Sequence, residues 1–200
     1  SADVAAGGGV VPVSPPSEET RTSEEEDHTP LDPAERRYLL EQLGDYIEAV
    51  QGEEAVETLR QQLAVALAAD VAVDGTLAAL HEVEEIVHQV DFAADFLFIG
   101  GVDEMLRMLV RPLEGKLYAA DVTDDQRAEV AAAAARVLGV LFSNNPKLQD
   151  AAMERSAIPI LVQKLRDSKS YPGVQARCVY ALSALVRSRR DAQVVFAKNG

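Results

Sequence analysis

Three side chains at helical spacing are of the types that bind transition metals. His81, Glu84 and His88 occupy positions i, i+3 and i+7 of a predicted helix, so they would share one helical face. No fourth ligand is suggested by the sequence, and other polar residues lie on the same face, as on the outer side of any amphipathic helix. We therefore interpret this face as a solvated surface, and the sequence predicts no metal site and no cofactor.

Two further features have catalytic potential. Asp91 and Asp95 are carboxylates one helical turn apart, which general acid–base chemistry can use, but they open a short predicted helix, where acidic side chains stabilise the helix dipole. Cys178 lies on the apolar stripe of a helix, which predicts a small core residue rather than a nucleophile. Because no nucleophile or phosphate-loop motif occurs, we predict no catalytic residue and no enzyme.

The composition restricts the partners. The 200 residues include 33 acidic and 19 basic side chains, a formal net charge of −14. Phosphate recognition needs clustered Lys and Arg, so this charge argues against nucleic acid, and no apolar run approaches the roughly 20 residues that span a bilayer. Arg187, Arg189 and Arg190 form the one basic cluster. Two interpretations of it stay open: contact with an acidic partner surface, or compensation of the dipole at the end of their helix.

The chain divides into three predicted regions. Residues 1–31 contain Gly and Pro clusters and an acidic run at 24–27, a composition that predicts a disordered acidic tail. Residues 32–73 are predicted to form a pair of helices, with Gly52 closing the first of them. Residues 74–200 carry a series of amphipathic helices separated by very short turns, and few aromatic residues.

A unit of helices recurs in this third region. At an offset of 44 residues, Gln149 aligns with Gln193, together with apolar positions of the preceding long helices. An earlier copy fits at an offset of 55, where Gly101 aligns with Ser156. Each unit reads as a long helix, a short helix, a break at small residues and a third helix. Helical repeats with a period of about 40–47 residues are typical of armadillo and HEAT proteins.

The predicted fold class is therefore all-α, an armadillo/HEAT-like α-solenoid with a disordered acidic N-terminal tail. The alternative is a non-repetitive helical bundle. The third unit ends at Gly200, where its last helix should begin. Because the end of a solenoid needs a polar cap, we expect the chain to be truncated within the third repeat.

One motif resembles a known family. Residues 88–95 read HQVDFAAD and precede Gly100 and Gly101. This pattern resembles the first-repeat motif of armadillo-type nucleotide exchange factors for seventy-kilodalton heat-shock chaperones, a helix ending in (M/V)DNAxDF before a glycine pair. Phe92 departs from that pattern, because the family has Asn at its position.

A second motif favours one branch of the family. Residues 138–149 read LGVLFSNNPKLQ and are similar to the second-repeat motif of the SIL-type branch, the endoplasmic-reticulum exchange factor of the chaperone BiP. Fes/HspBP-type relatives, which are cytosolic, are the second choice. The resemblance covers about residues 76–200.

The resemblance implies a function without catalysis. The concave face of such a solenoid would bind the nucleotide-binding domain of a BiP-class chaperone, open its cleft and promote ADP release. The third helix of each armadillo unit lines this face. Asn144 and Asn145 are expected either to contact the partner or to cap a helix. The predicted partner-binding residues are Asp103, Glu104, Arg107, Gln163, Lys164 and Arg166.

The remaining expectations follow from the same resemblance. We expect a monomer in the lumen of the endoplasmic reticulum, with the cytoplasm as the alternative compartment. The alternative function is an armadillo-type scaffold for protein–protein interaction without exchange activity. Such a peptide-binding scaffold would present a ladder of concave asparagines, and residues 102–110 and 157–165 contain none.

Overall fold

The computed structural model describes residues 32–116 and 120–199. The predicted disordered tail, residues 1–31, lies outside the described residues. By internal contacts the described chain divides between Glu41 and Gln42. The described residues are helical, without strands, which confirms the all-α class. The helices are α1 (Pro33–Leu67), α2 (Val73–Val87), α3 (Val90–Phe98), α4 (Gly101–Val110), α5 (Asp124–Phe142), α6 (Pro146–Glu154), α7 (Ala157–Asp167), α8 (Pro172–Val186) and α9 (Arg190–Asn199).

The predicted helical pair before residue 74 is wrong. Helix α1 is a single helix of 35 residues, and Gly52 lies inside it. One glycine in a helix interior costs only about 1 kcal/mol relative to alanine, so it does not end a helix whose later turns are buried. Leu59 and Leu63 contribute that burial, with 0% and 7% of their surface exposed.

The helices after α1 repeat in groups. Helices α2, α3 and α4 form the first repeat, α5, α6 and α7 the second, and α8 and α9 the described part of the third. The long helices α2, α5 and α8 pack side by side, α3 contacts α6, and α4 contacts α7. Equivalent helices of successive repeats therefore stack on one another, which confirms the armadillo-like solenoid.

The predicted alignment of the first two repeats is wrong by one residue from the short helix onward. Gly100, with a φ of +83°, precedes α4, and Ser156, with a φ of +54°, precedes α7. These left-handed residues are structurally equivalent, so the partner of Ser156 is Gly100 rather than Gly101. The turn before α3 contains two residues, whereas the turn before α6 contains three. This extra residue shifts the offset from 55 to 56, a change that apolar periodicity does not resolve.

The two glycines before α4 have different physical roles. Gly100 adopts the left-handed backbone that side chains disfavour. Gly101 has no room for a side chain, because a Cβ atom there would lie 2.3 Å from the ring of Phe96. The fully buried Phe96 ring thus packs directly on the start of α4, and this contact turns α3 back against α4.

Aligned glutamines hold the turn between the long and short helices. The Nε2 atom of Gln149 donates to the carbonyl oxygen of Phe142 at 2.9 Å, and that of Gln193 donates to Val186 at 3.0 Å. Both acceptors are the last residues of long helices, whose carbonyls lack partners within the helix. Gln149 also donates to the carbonyl of Ala184 at 3.1 Å, so it joins the second repeat to the third.

Cys178 is a fully buried residue of α8, as its apolar position predicts. Burial raises the pKa of its thiol to about 11, because desolvation penalises the thiolate, while nearby Lys164 acts in the opposite direction. We expect a disulfide reagent at about pH 8 to modify the folded protein at least a hundredfold more slowly than the urea-unfolded protein, whose thiol has a pKa of about 8.5. Absorbance of the released thiolate measures both rates. Equal rates would contradict this burial.

Candidate partner-binding face

Helices α4 and α7 contain the predicted partner-binding residues. Helix α4 begins after the left-handed Gly100 and has Asp103 and Glu104 in its first turn and Arg107 in its last. This arrangement places each charge at the end of the helix dipole that it stabilises. Because α4 contacts α7 directly, the structure brings the two predicted sets of residues onto neighbouring helices.

The charged residues of α4 are held in ion pairs. The Oδ1 atom of Asp103 accepts a hydrogen bond from Nε of Arg155, which follows α6, at 2.8 Å. The Oε2 atom of Glu104 accepts from Nε of Arg107 at 2.7 Å. Glu114 lies 3.9 Å from Nη1 of Arg107. Asp103 thus joins the first repeat to the second, and the other charges form a local network on α4 and the turn after it.

Two polar residues of α7 also have partners inside the chain. The Nε2 atom of Gln163 donates to Oδ1 of Asp167 at 2.8 Å. The Nη2 atom of Arg166 donates to the carbonyl oxygen of Asn199, at the end of α9, at 2.7 Å. This second bond connects the third helix of the second repeat to the third repeat, so Arg166 stabilises the stacking of the repeats.

Lys164 differs from its neighbours. Its side chain is half-buried, and no hydrogen bond or ion pair engages its ammonium within the described part of the chain. Desolvation lowers the pKa of Lys164 from its usual value, while Cys178 and Asp167 act in the opposite direction. A partly desolvated cation without a close carboxylate gains more from a new acidic partner than a solvated one does.

A groove of about 460 Å³ lies beside Lys164. Exposed Val110 at the end of α4 and Ile160 of α7 give it an apolar part. Three of the six predicted residues line this groove, whereas Asp103, Glu104 and Arg107 do not. The three that do are Gln163, Lys164 and Arg166.

The two asparagines before α6 have separate roles. Asn145 is buried, and its Oδ1 atom accepts from the backbone N–H of Leu148 at 3.3 Å, so it is the N-cap of α6. Asn144 has a φ of +55°, and its side chain is exposed at the edge of a cleft. Asn is one of the few residues that tolerate this backbone conformation, and its amide does not cap the helix.

The metal-type residues of α2 do not form a ligand cluster. His81 and His88 are exposed, but Glu84 is only 4% exposed, so the prediction of a solvated position is wrong for Glu84. Its carboxylate pairs with Arg136 of α5, because the adjacent long helix covers it. No group of three or more His, Cys, Asp or Glu side chains in the described residues is arranged to hold a metal ion.

Helix α3 carries the residues of the first-repeat motif. Asp91 lies exposed in the first turn of α3. Phe92, the departure from the family motif, packs on the core at the position that Leu148 holds in the second repeat. An apolar side chain therefore fits where the motif has a polar one.

Two family models match the chain. The model described as nucleotide exchange factor Fes1 matches residues 11–96, and the model of the SIL1/FES1/HPBP1 C-terminal domain matches residues 115–200. The first match begins well before residue 76, so the resemblance extends further towards the N-terminus than the two motifs predict.

None of the described helices has the length and apolar character needed to cross a membrane.

Individual relatives agree with these matches. The chain is 35% identical to nucleotide exchange factor SIL1 of Mus musculus over 126 residues, which cover 62% of the chain and 23% of that protein. It is 32% identical over 111 residues to Sil1 of Drosophila melanogaster, covering 56% of the chain and 23% of the relative. The matched segment thus spans about a quarter of the length of these relatives. Both family models match in order along a helical-repeat fold, and the chain is similar at both ends of its sequence to nucleotide exchange factors of the SIL1, FES1 and HPBP1 type.

Proposed function

We propose that this protein is an adenyl-nucleotide exchange factor that binds the nucleotide-binding domain of a seventy-kilodalton heat-shock chaperone. The observation that carries this proposal is the match of residues 11–96 to the nucleotide exchange factor Fes1 model, with which the SIL1 relatives, also named nucleotide exchange factors, agree. Helices α4 and α7 provide the binding face, the concave face of the solenoid. The residues that would contact the chaperone are Asp103, Glu104, Arg107, Gln163, Lys164 and Arg166.

The mechanism needs no catalytic side chain. A protein that binds the open form of the nucleotide-binding domain more tightly than the closed form shifts the equilibrium towards the open form, from which ADP dissociates. Moving a 1:99 population to 99:1 requires a preference of about 5.5 kcal/mol. The hydrogen bonds between repeats at this face support the role. Asp103 accepts from Arg155 and Arg166 donates to Asn199, so both helices of the face are tied to a neighbouring repeat, which would resist deformation to fit the closed form.

The finer assignments belong to the same proposal. The SIL1 relatives and the motif at residues 138–149 favour a BiP-class chaperone in the lumen of the endoplasmic reticulum. We also propose that the protein acts as a monomer and is not an enzyme. The cytosolic Fes/HspBP-type relatives give the alternative compartment.

The deciding experiment measures ADP release and binding separately. A BiP-type chaperone is loaded with a fluorescent ADP analogue, mixed with excess unlabelled ATP, and followed by stopped-flow fluorescence with and without this protein. We expect faster release that saturates with protein concentration, and complex formation by calorimetry. Binding without acceleration would support the scaffold alternative. Absence of both would contradict the proposal.

A further inference from the structure

A cleft of about 630 Å³ lies between the second and third repeats, where the long helices α5 and α8 end and the short helices α6 and α9 begin. It shares no residue with the groove beside Lys164. Its volume is within the range of binding sites for small molecules and peptide side chains. Its lining residues include Asn144, Gln149, Asp150, Tyr180, Arg187 and Arg189.

The inner part of the cleft is held by close contacts. Tyr180 of α8 packs over Gly139 of α5, where a Cβ atom would lie 2.3 Å from the tyrosine ring. The Oγ atom of Ser143 donates to the carbonyl of Gly139 at 2.7 Å and lies 3.3 Å from the hydroxyl of Tyr180. Together with buried Gln149, these contacts fix an aromatic ring at the cleft without any bound partner.

One wall is an ion-pair network. The Nη1 atom of Arg189 donates to Oδ1 of Asp150 at 2.6 Å, and its Nη2 atom donates to Oδ2 of Asp191 at 2.7 Å. The hydrogen bonds from Arg189 hold the pKa of Asp191 below its usual value. Because two carboxylates already bind this guanidinium, Arg189 shapes the cleft and is not available to a ligand.

Two lining side chains are different, because they have no partner. Arg187 and Asn144 are exposed, and within the described residues neither side chain makes a hydrogen bond or ion pair. The guanidinium supplies a fork of donors that matches a carboxylate, and the amide adds both a donor and an acceptor. These two groups at one cleft can bind a carboxylate and an adjacent peptide group.

The charge of the cleft lining indicates which charge a ligand should carry. Although the chain has a net charge of −14, the charged residues that line this cleft are Arg187, Arg189 and Asp150, which leaves the lining net positive. A local positive potential on an acidic protein attracts acidic segments and repels basic ones.

We propose that this cleft binds an acidic segment of a partner protein in extended conformation, with a carboxylate on Arg187, a peptide group on Asn144 and an apolar side chain on the ring of Tyr180. The site is separate from the face formed by α4 and α7 and requires no exchange activity. It therefore goes beyond the proposed function and can fail or succeed independently of it.

The test uses a fluorescein-labelled peptide of alternating Asp and Leu and a neutral reference peptide of alternating Asn and Leu. Fluorescence anisotropy with the intact protein should show saturable binding of the acidic peptide, weakened by salt, and at least about tenfold weaker binding of the neutral one. No saturation by the acidic peptide up to about millimolar protein, the range of very weak binding, would overturn the proposal.

Two charge-reversal variants distinguish specific binding at the cleft from nonspecific electrostatic attraction. Arg187→Glu should weaken binding of the acidic peptide at least about tenfold. Arg190→Glu makes the same change of charge three residues away, outside the cleft lining. This variant should weaken binding of the acidic peptide less than about threefold. Equal losses would mean nonspecific attraction and would overturn the site. Circular dichroism checks that both variants keep the fold.

A backbone-neutral variant tests the second contact. Asn144→Gly removes the amide but keeps the left-handed backbone, since glycine adopts this conformation without strain. We expect about threefold to tenfold weaker binding of the acidic peptide with an unchanged melting temperature. Unchanged affinity would show that Asn144 is a turn residue only and would overturn its assigned contact.

Discussion

We expect the Phe96→Ala variant to lose about 3–5 kcal/mol of its free energy of unfolding. The side chain of Phe96 is fully buried and packs on Gly101. Alanine would leave a cavity between α3 and α4, and the loss adds the missing burial to the cost of that cavity. Urea unfolding followed by circular dichroism measures the change.

Phe98 provides the matched control. It lies two residues away at the end of the same helix but is 86% exposed. The Phe98→Ala variant should change the free energy of unfolding by less than about 0.5 kcal/mol, as is usual for surface positions. Similar losses in the two variants would show that the ring of Phe96 does not occupy the buried position described above.

The contact between Phe96 and Gly101 can be tested by a double-mutant cycle. Gly101→Ala alone should be destabilising, by about 1–3 kcal/mol, because the buried ring cannot move away from the new Cβ atom. In the Phe96→Ala background the same change should cost less, because the space is already empty. Strictly additive losses would contradict direct packing of these residues.

Reversing the charges of Arg107 and Lys164 together should weaken chaperone binding by about 30-fold to 100-fold. Placing like charges opposite one another in an interface costs several kcal/mol, and about 2–3 kcal/mol corresponds to this range. Lys164 contributes most to the expected loss, because its half-buried ammonium has no partner inside the described chain to replace a chaperone carboxylate. Calorimetric titration of the BiP-type chaperone with the Arg107→Glu, Lys164→Glu variant measures it.

A second double variant controls for net charge. Lys169 and Arg177 are exposed and belong to neither α4 nor α7. Lys169→Glu with Arg177→Glu changes the net charge by the same amount and should alter affinity less than about threefold in physiological salt. Wild-type affinity in the Arg107 and Lys164 variant would contradict the proposed face while leaving exchange activity itself open.

A helix boundary can be predicted from the sequence when neighbouring residues determine it. Helix α5 spans Asp124–Phe142, and it begins there because Thr123 and Gln126, residues close together in the sequence, form a capping box. By contrast, Gly52 suggested a helix end that does not exist. Burial of the helix by residues distant in the chain outweighs the small propensity cost of one glycine.

Pairwise properties were not predictable in the same way. Glu84 lies on the polar face of its helix, which predicted exposure to solvent. In the structure α5 covers Glu84 and supplies Arg136 as its ion-pair partner. The repeat alignment paired Gln149 with Gln193, but no local pattern indicates that Gln149 also donates to Ala184 in the next repeat. Such contacts depend on which helix faces stack, and apolar periodicity identifies a face without identifying its neighbour.

The sequence by itself determined the all-α class, the recurring unit, the glycine pair that starts α4 and the family resemblance, because each of these depends on residue type and spacing along the chain. The tertiary structure decided which polar side chains are partnered. It left Lys164, Arg187 and Asn144 without close partners in the described chain, while Arg166 and Arg189 bind neighbouring repeats. Availability for a partner depends on what lies opposite a side chain in space, and that neighbour is set only when the repeats stack.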